Sequence, residues 1–400
     1  MYIVLLLFIF SPVLMAMEKT PKRLKSDSYL SSINHACWHP KNSQLMVATE
    51  CALALYKISQ NKIEWEHSLE INRRQLLSHR FSPQGNYYWG LETARYPENN
   101  LHIWSTISGK LLKTYKTVLF DIPGISPKDT YVAYQPDKDS LEVHQISAEE
   151  EVLALKDSSD AYFVKNKFST IFSPDDSLVA CEIRKKNNQV VSIINLKNKK
   201  EIAALEGNSP LFNTEGTQLI IKNGITLSFF ETKNFTALKK ISHECLSAGL
   251  SSFLFNPDFS RIQIKDDKGI GELIFPAGRK NEKSGRHLAS TKNLDLCIML
   301  EDSMCWKCSA QSGADIKSLV TLREWSPKST YFSPDEKYLI LEDEKDIDIV
   351  NPKTIILLKS IRKPESNSRT SSCSSDSKYL LWHPTFSSAE ILDLETLIHF

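Results

Sequence analysis

The strongest candidate for chemistry in this sequence is a pair of cysteines, Cys305 and Cys308, separated by two residues. Such a pair can act as a redox couple or supply half of a zinc site. A redox pair needs a helix N-terminus to lower the thiolate pKa. Here the apolar run 294–300 before the pair and the turn-like residues 311–313 after it indicate a strand. Because residues three apart on a strand face opposite sides of the sheet, we expect two separate structural thiols.

Other short patterns are too incomplete to predict a site. The His-Glu pair at 243–244 lacks the second histidine of a zinc-protease helix, and residues 269–271 lack the third glycine of a dinucleotide site. Ser-Ala-Gly at 247–249 is too common in turns to define a nucleophile elbow. Asn234 begins an N-glycosylation acceptor pattern, which has meaning only in a secretory context. The sequence therefore predicts no catalytic, cofactor-binding or metal-binding residue, and no cofactor.

Charge is balanced along the chain, with 49 basic and 48 acidic residues and a formal net charge of +1. A nucleic-acid-binding surface would need a marked basic excess or stripe, so we expect no nucleic-acid partner. Basic clusters at 184–186, 197–200 and 279–283 lie between predicted strands, which favours solvated hairpin tips, with contact to an acidic partner as the alternative. A protein partner of unknown identity is expected.

The eight cysteines lie at positions 37, 51, 181, 245, 297, 305, 308 and 373. Their spacing is mostly wide and irregular, unlike the dense framework of a small disulfide-stapled domain. Several fall inside apolar runs, where a free cysteine behaves as a small hydrophobe. We therefore expect mostly unpaired thiols in the core.

The N-terminus carries an unbroken apolar run at residues 3–10, extended by residues 13–15. This run is too short to span a bilayer as a helix, which needs about 20 apolar residues. Its length suits a signal peptide ending at Ala16, although no Lys or Arg precedes it. We predict a signal peptide at 1–16, a polar leader at 17–29, export to a periplasm or the medium, and no membrane span in the mature chain. The alternative is translation from Met17, which would leave a cytoplasmic product.

A recurring sequence unit indicates the strands that must position any functional residue. An apolar residue is followed by Ser or Asn, then Pro, a polar turn and a new apolar run. Clear copies occupy 81–84, 172–175, 255–258 and 332–335, and weaker copies begin at 38, 125, 212 and 373, with a doubtful one at 289. Most successive copies are 40 to 47 residues apart, close to the length of about 40–45 residues of one propeller blade.

The recurring unit has a physical logic. Proline fixes φ for a type I turn, and the preceding Ser or Asn caps that turn. The aromatic before it would end one strand, and the run after it would begin the antiparallel neighbour. Stretches with alternating apolar and polar residues follow at 101–105, 191–196, 347–351 and 391–395, as in half-buried strands. No stretch after the leader shows a convincing helical period, so we predict an all-β protein.

These residues resemble the WD-repeat family and related propellers with Phe-Ser-Pro-Asp turns. The resemblance covers residues 30–400 and implies a single β-propeller of four-stranded antiparallel blades around a central channel. Trp104-Ser105 is the nearest approach to the Trp-Asp dipeptide of strict WD-repeats, and no unit carries Gly-His. Nine copies exceed the usual four to eight blades. We therefore predict about eight blades, within a range of seven to nine.

Propellers bury their blade cores and present loops on two rims, where recognition takes place. The predicted function is a non-enzymatic scaffold for protein–protein interaction. The alternative is a propeller hydrolase, lyase or oxidoreductase with its site at the central channel. Converging carboxylates or histidines at the channel mouth would favour the enzyme. An apolar, aromatic-rich patch on the rim would favour the scaffold.

Overall fold

A computed structural model of the chain contains 36 strands and one short helix within the residues it describes. These residues are 22–25, 33–49, 52–59, 63–69, 76–93, 99–118, 123–137, 140–148, 151–156, 161–163, 170–185, 188–242, 253–265, 271–274, 286–301, 304–309, 315–320, 329–354, 356–363, 369–385 and 388–398. Their strands form nine antiparallel sheets, here called blades 1 to 9 in chain order. Seven of these sheets are four-stranded.

The first described strand is β1 (Lys22–Lys25), which belongs to the last blade. Blade 1 comprises β2 (Ile33–Trp38), β3 (Gln44–Thr49), β4 (Leu53–Ile58) and β5 (Ile63–Leu69). Blade 2 comprises β6 (Leu76–Phe81), β7 (Tyr87–Thr93), β8 (Asn99–Ser105) and β9 (Leu111–Thr117). Blade 3 comprises β10 (Gly124–Ile125), β11 (Tyr131–Tyr134), β12 (Ser140–Gln145) and β13 (Glu151–Lys156).

Blade 4 comprises β14 (Ala161–Phe163), β15 (Thr170–Phe172), β16 (Leu178–Lys185), β17 (Asn188–Asn195) and β18 (Lys200–Glu206). Both β14 and β15 pair with β16, so together they take the place of one interrupted strand. Blade 5 comprises β19 (Asn208–Phe212), β20 (Gln218–Asn223), β21 (Thr226–Glu231) and β22 (Ala237–Ser242). The described part of blade 6 comprises β23 (Phe253–Phe255), β24 (Ile262–Lys265) and β25 (Gly271–Ile274).

Blade 7 comprises β26 (Arg286–Ser290), β27 (Leu296–Glu301), β28 (Met304–Ser309) and β29 (Asp315–Val320). Blade 8 comprises β30 (Ser329–Phe332), β31 (Leu339–Glu342), β32 (Asp346–Asn351) and β33 (Ile356–Arg362). Blade 9 comprises β34 (Arg369–Cys373), β35 (Tyr379–Thr385), β36 (Ser388–Asp393) and β1. The helix α1 (Leu394–Ile398) follows β36, and its five residues are too few to produce a helical period in the sequence.

The blades close into a ring through apolar clusters shared by neighbours. Buried side chains of blades 1 and 2 form one such cluster, as do those of each later pair up to blades 5 and 6. Blades 7 to 9 continue the series, and blade 9 packs on blade 1 through Tyr379 and Leu381 against Leu45 and Val47. Blades 6 and 7 are joined by an ion pair between Arg261 and Asp295. The fold is thus a single β-propeller, as the sequence predicts.

The first strand of each blade lies at the centre of the ring. Strand β2 contacts the first strands of both neighbouring blades, β6 and β34, and β15 likewise contacts β10 and β19. The last strand of each complete blade pairs on one side only within the described residues, and it forms the outer rim. Nine sheets lie within the predicted range of seven to nine blades. The doubtful copy that begins at Ala289 coincides with the last two residues of the first strand of blade 7.

The N-terminal boundary differs from the prediction. Residues 22–25, expected to belong to a polar leader, form β1, the outermost strand of blade 9. In this pairing Lys22 stands opposite Ile391 and Lys25 opposite Ser388. A four-residue strand with three basic residues has too little alternation to be read from the sequence. Its pairing joins the two ends of the chain in one sheet, so this leader segment is part of the propeller.

The turn after each inner strand has the capping that the repeat predicts. The serine hydroxyl accepts the backbone N–H five residues later, at N···O distances of 2.9–3.1 Å, in Ser82, Ser126, Ser173, Ser333 and Ser374. In four blades the third residue of the turn, counted from the serine or asparagine, is an aspartate that accepts a hydrogen bond from the backbone N–H two residues later. These turn aspartates are Asp175, Asp258, Asp335 and Asp376.

The fourth turn residue has a positive φ, which the sequence did not reveal. Glycine takes this position in two blades, at Gly85 and Gly216. In others a side chain stands there and reaches the turn of the preceding blade. Asp129, with φ of 61°, accepts a 2.6 Å hydrogen bond from the Ser82 hydroxyl. Asp176 does the same for Ser126 at 2.7 Å. The chain has only 13 glycines in 400 residues, and at this turn position side chains such as Asp129 and Asp176 stand in place of glycine and join neighbouring blades.

Candidate functional site

Large apolar side chains are exposed mainly on the outer rim. Within the described residues they are Trp65, Ile107, Leu111, Leu112, Ile202, Ile225, Leu238, Ile356 and Leu357. All but two belong to the last strand of a blade; Ile107 lies in the turn before β9 and Ile225 in the hairpin between β20 and β21. Four of the nine lie on blades 1 and 2, more than on any other two adjacent blades in the described part of the chain.

We call Trp65, Ile107, Leu111 and Leu112 the rim patch. Trp65 is 61% exposed on β5, and Ile107 is 85% exposed in the turn of the next blade. The two blades touch here, because Gly109 lies so close to His67 that an added Cβ would stand 2.6 Å from the imidazole ring. Leu111 and Leu112 continue the surface along β9. Tryptophan is enriched in binding hot spots, and exposed apolar surface marks sites of interaction.

Local backbone geometry exposes this patch. Gly109 has φ of 68°, and its N–H donates to the Ser105 carbonyl to close the turn that carries Ile107. Strands β8 and β9 then shift register, since Trp104 pairs with Leu111 but Ile103 pairs with Lys113. Leu112 is the extra residue of this β-bulge. Bulges of this kind re-aim a side chain at the edge of a sheet, which explains an exposed leucine in a regular strand.

The same register shift recurs between the last two strands of blades 1, 3, 4, 5 and 8. Bulges and lysines on an outer strand prevent another strand from pairing with it. Lysines Lys113 and Lys116 follow Leu112 on β9. The rim patch is therefore suited to contact through side chains rather than through addition of a strand.

The wall of the central channel has a different composition. The described innermost strands, β2, β6, β10, β14, β15, β19, β23, β26, β30 and β34, contain no Asp or Glu. They contain three arginines and three histidines, which are His35, His79, Arg80, Arg286, His287 and Arg369. Within the described part of these strands there is thus none of the carboxylates that hydrolases of glycosidic or peptide bonds commonly use as acids and bases.

Two of these histidines meet across the boundary of blades 1 and 2. The His35 and His79 rings are edge to face with centroids 4.7 Å apart, and His79 Nδ1 lies 2.5 Å from the Tyr88 hydroxyl. Burial, reinforced by the neighbouring His35, lowers the pKa of His79 to about 3. The same burial raises the pKa of the Cys37 thiol to about 11 and that of Tyr88 well above its ordinary value. At neutral pH all three groups are uncharged, which suits packing rather than proton transfer.

Histidine–carboxylate pairs occur outside the inner strands. In blade 2, His102 Nε2 lies 2.8 Å from Glu92, and its Nδ1 lies 2.9 Å from the Thr114 hydroxyl. In blade 3, Glu142 is bound by His144 at 2.9 Å and by the Tyr134 hydroxyl at 2.6 Å. Each pair lies within one blade and each carboxylate is already hydrogen-bonded, so these groups fix the orientation of neighbouring strands.

A buried ion pair of blade 8 is linked through Glu342 to blade 9. The Lys363 ammonium lies 2.6 Å from Glu342, and both side chains are almost fully buried. The second oxygen of Glu342 accepts hydrogen bonds from the Ser371 N–H and hydroxyl, each at 2.8 Å. Glu342 thus accepts three hydrogen bonds, one from Lys363 and two from Ser371. It therefore serves to hold the last two blades together, since breaking a buried pair is strongly destabilising.

The cysteines singled out in the sequence lie on β28, as predicted from their flanking residues. Cys305 pairs with Leu300 and Cys308 with Cys297 in one regular register. At a rise of about 3.3 Å per residue, their Cα atoms stand about 10 Å apart, beyond the reach of a disulfide. Of the remaining cysteines, Cys37, Cys181 and Cys373 are free, and Cys181 is fully buried.

The other patterns found in the sequence do not belong to the rim patch. The basic cluster 197–200 lies in the exposed turn before β18, and Arg184 and Lys185 end β16. Asn234 is exposed in the turn before β22, where its side-chain oxygen accepts a 2.8 Å hydrogen bond from Thr236. Residues 243–249, 269–270 and 279–283 lie outside the described residues, as does the N-terminal apolar run. In the described part of the chain, no three metal-ligating side chains converge, and no helix has the length and apolar character to cross a bilayer.

The sequence carries only a weak signal of the rim patch. Apolar and polar residues alternate in exposed strands as well as in half-buried ones, and the pair Leu111-Leu112 resembles the start of a buried apolar run. One usable signal is the position of Leu111 and Leu112 in the repeat. They follow the alternating third strand and therefore belong to the fourth, outermost strand of a blade. Outer strands need fewer apolar residues, so apolar pairs there indicate exposure.

Comparison with known proteins supports the fold only. No family model and no curated protein matches the chain. A crystal structure of a eukaryotic initiation factor superposes with a TM-score of 0.64 at 15% identity, covering 88% of this chain and 97% of that one. The C-terminal WD40 domain of Sif2 gives a TM-score of 0.52 at 11% identity, with 91% and 96% covered. The chain is accordingly a WD40-like β-propeller.

Proposed function

We propose that this propeller is a non-enzymatic scaffold that binds a protein partner through the rim patch. The observation that carries the proposal is the exposure of Trp65 and Ile107 on two adjacent blades, which touch where Gly109 lies against His67. Exposed apolar surfaces of this kind are uncommon on proteins that act alone and mark sites of interaction. Tryptophan is also among the residues that dominate binding energy at interfaces.

The surroundings of the rim patch favour a preformed site. Trp65 is paired in register with Tyr56, and the turn that carries Ile107 is closed by two backbone hydrogen bonds between Ser105 and the Gly109–Lys110 pair. A rigid anchor loses little conformational entropy on binding. Burial of Trp65 and Ile107 by a partner would therefore add directly to affinity, by about 2 kcal/mol or more for a hot-spot residue.

Site-specific photo-crosslinking in the native host tests this function. A photoreactive phenylalanine derivative replaces Ile107 in one variant and Ile225 in the matched control, which is 48% exposed on blade 5. We expect a discrete crosslinked protein from position 107 that is absent from position 225. Adding Trp65→Ala to the first variant should abolish the crosslink. The same adducts from both positions, or adducts insensitive to Trp65→Ala, would contradict the proposal.

We also propose that the chain is a divergent member of the WD-repeat family. The Phe-Ser-Pro-Asp turns at 172–175 and 332–335 and the fourth-residue links between blades support this assignment. Absence of Gly-His and Trp-Asp dipeptides means that any relationship is remote. A test is a sequence profile built from natural homologues of this chain: it should align with WD-repeat profiles in the register of the nine turns, and any other register would reject the assignment.

Export through residues 1–16 is a further proposal, supported by the apolar run at 3–10 and by Ala16. Translation from Met17 gives the same N-terminus as cleavage after Ala16, so N-terminal sequencing cannot separate the two. A reporter fused after Ser28 can, because only an exporting segment carries it across a membrane. Replacing Leu6 with Arg in the same fusion is the control. Retention of the unaltered fusion inside the cell would reject export.

A further inference from the structure

Charged residues of opposite sign lie on the two sides of the rim patch. On blade 1, the outermost strand β5 carries Glu64 and Glu66 and no lysine or arginine, and we call these two residues the acidic flank. On blade 2, Lys110 directly precedes β9, which carries Lys113 and Lys116 and no aspartate or glutamate. We call these three lysines the basic flank.

Both flanks are accessible from solvent. Glu64 and Lys110 are exposed. Lys57 stands in register with Glu64 on the neighbouring strand β4, so it reduces the charge of the acidic flank without reversing it. The flanks belong to adjacent blades, which touch where Gly109 lies against His67. The apolar centre of this surface therefore has negative charge on the side of blade 1 and positive charge on the side of blade 2.

This arrangement is complementary to itself. Rotating a second copy by half a turn about an axis at the boundary of blades 1 and 2 brings blade 1 of each copy against blade 2 of the other. Each acidic flank then meets a basic flank, and Trp65 of one copy meets Leu111 and Leu112 of the other. A partner with charge of one sign would instead meet like charge on one flank, which opposes binding. From this pattern we infer that the rim patch joins two copies of this chain in a two-fold symmetric dimer.

The size of the rim patch is consistent with a contact that includes both flanks. A stable interface uses about 20–30 residues on each partner, so a contact centred on the four residues of the rim patch has to extend over the charges beside them. A two-fold contact uses the same surface on both copies and therefore closes at two. The bulge at Leu112 and the lysines of β9 hinder strand pairing between copies. The inference rests on the proposed function, because it identifies the protein partner of the same surface.

Sedimentation velocity of the full chain over a series of concentrations tests the inference. We expect a monomer–dimer equilibrium in the unaltered protein. Trp65→Ala should weaken the dimer by about thirtyfold or more, the effect of losing a hot-spot residue. The matched control is Leu238→Ala, which removes an apolar side chain that is 51% exposed on the outermost strand of blade 5. This control should leave the dimer unchanged.

Charge reversal tests how the flanks pair. One variant carries Glu64→Lys and Glu66→Lys, and the other carries Lys110→Glu and Lys113→Glu. Each variant alone places like charges across the two-fold axis and should dimerise more weakly by about tenfold or more. An equimolar mixture should form the dimer again, because one copy is then basic on both flanks and the other is acidic on both. Lys240→Glu on β22 is the control for the general effect of reversing an exposed charge.

The outcomes distinguish this inference from the proposed function. A chain that is monomeric at every concentration, a dimer insensitive to Trp65→Ala, or a mixture that stays monomeric would each overturn the inference. A photo-crosslink from position 107 to a second copy of the chain would support both proposals. A crosslink to a different protein, with the chain itself monomeric, would overturn the dimer and leave the scaffold function standing. A monomeric chain that forms no crosslink from position 107 would overturn both.

Discussion

Replacement of Asp129 tests whether the fourth turn residue joins neighbouring blades. Its carboxylate is buried and accepts three hydrogen bonds from the turn of blade 2: from the Ser82 hydroxyl at 2.6 Å, the Gln84 N–H at 3.0 Å and the Asn86 N–H at 3.1 Å. Asp129→Gly removes these bonds but keeps a residue that adopts positive φ freely. The equivalent residues Gly85 and Gly216 show that the turn accepts glycine.

The expected magnitude follows from the donors left behind. Each buried donor without a partner costs about 1–3 kcal/mol, although water admitted to the turn offsets part of the sum. We therefore expect Asp129→Gly to lower the free energy of unfolding by about 2–4 kcal/mol. Asp129→Ala should lose about 1–2 kcal/mol more, because alanine at φ of 61° is strained.

Urea unfolding followed by tryptophan fluorescence measures both losses, since Trp89 and Trp104 are buried in the adjoining blade. The matched control is Asp175→Ala, which removes an exposed turn carboxylate bonded only within its own turn. That variant should lose about 1 kcal/mol. A loss below about 0.5 kcal/mol for Asp129→Gly, the scale of surface substitutions, would refute the link. So would an alanine variant as stable as the glycine variant.

Three further predictions concern the core, acid stability and the cysteine pair. Phe172→Ala should lower the free energy of unfolding by about 3–5 kcal/mol, because Phe172 is buried between blades 3 and 4; Ile107→Ala, measured alongside it by urea unfolding, should change stability by less than about 0.5 kcal/mol. The pKa of each turn aspartate is lowered. Burial raises the pKa of all four and is the largest single influence on Asp175, Asp335 and Asp376, whereas the backbone hydrogen bond from Ser260 is the largest influence on Asp258; in every case the hydrogen bonds to the carboxylate together outweigh burial. The stabilisation that these aspartates contribute is therefore complete above the unfolded-state pKa and disappears as pH falls through the lower folded-state pKa values. Between pH 6 and pH 2, the melting temperature should drop less in a variant with all four aspartates replaced by Asn than in the unaltered protein. An equal drop in both proteins would show that the turn aspartates are not the origin of the acid sensitivity. Mass spectrometry without reductant should find no Cys305–Cys308 disulfide, and finding one would overturn the β28 assignment.

The sequence predicts the architecture because the repeat is local. Each Ser-Pro turn and the strands beside it lie within about a dozen residues, so residue type and spacing are sufficient to place them. Even the weak copies that begin at Trp38 and Ala289 fall at the ends of inner strands. The number of blades is harder to predict from the sequence, because blade 4 has an interrupted first strand and blade 6 has three described strands.

The candidate surfaces could not be predicted because they depend on contacts between units. Ser82 and Asp129 are 47 residues apart, and His35 and His79 are 44 positions apart on different strands. No local pattern shows which turn lies against which, and β1 pairs with a strand from the opposite end of the chain. Exposure of Trp65 likewise follows from its place on an outermost strand. These properties arise only when the ring closes.

Ring closure also explains why the turns differ in sequence while their geometry is shared. A ring has no free end, so the turn of each blade must fit the turns on both sides. Where glycine takes the fourth position the neighbour fills the space: the His39 ring lies where a Gly85 side chain would be, with Nε2 3.1 Å from the Gly85 carbonyl. Where aspartate takes it, the carboxylate bonds the neighbouring turn instead. Substitutions at this position therefore have to be compensated in the adjacent blade, and histidine at position 39, in place of the usual serine, is the partner of Gly85 rather than a degenerate copy of the repeat.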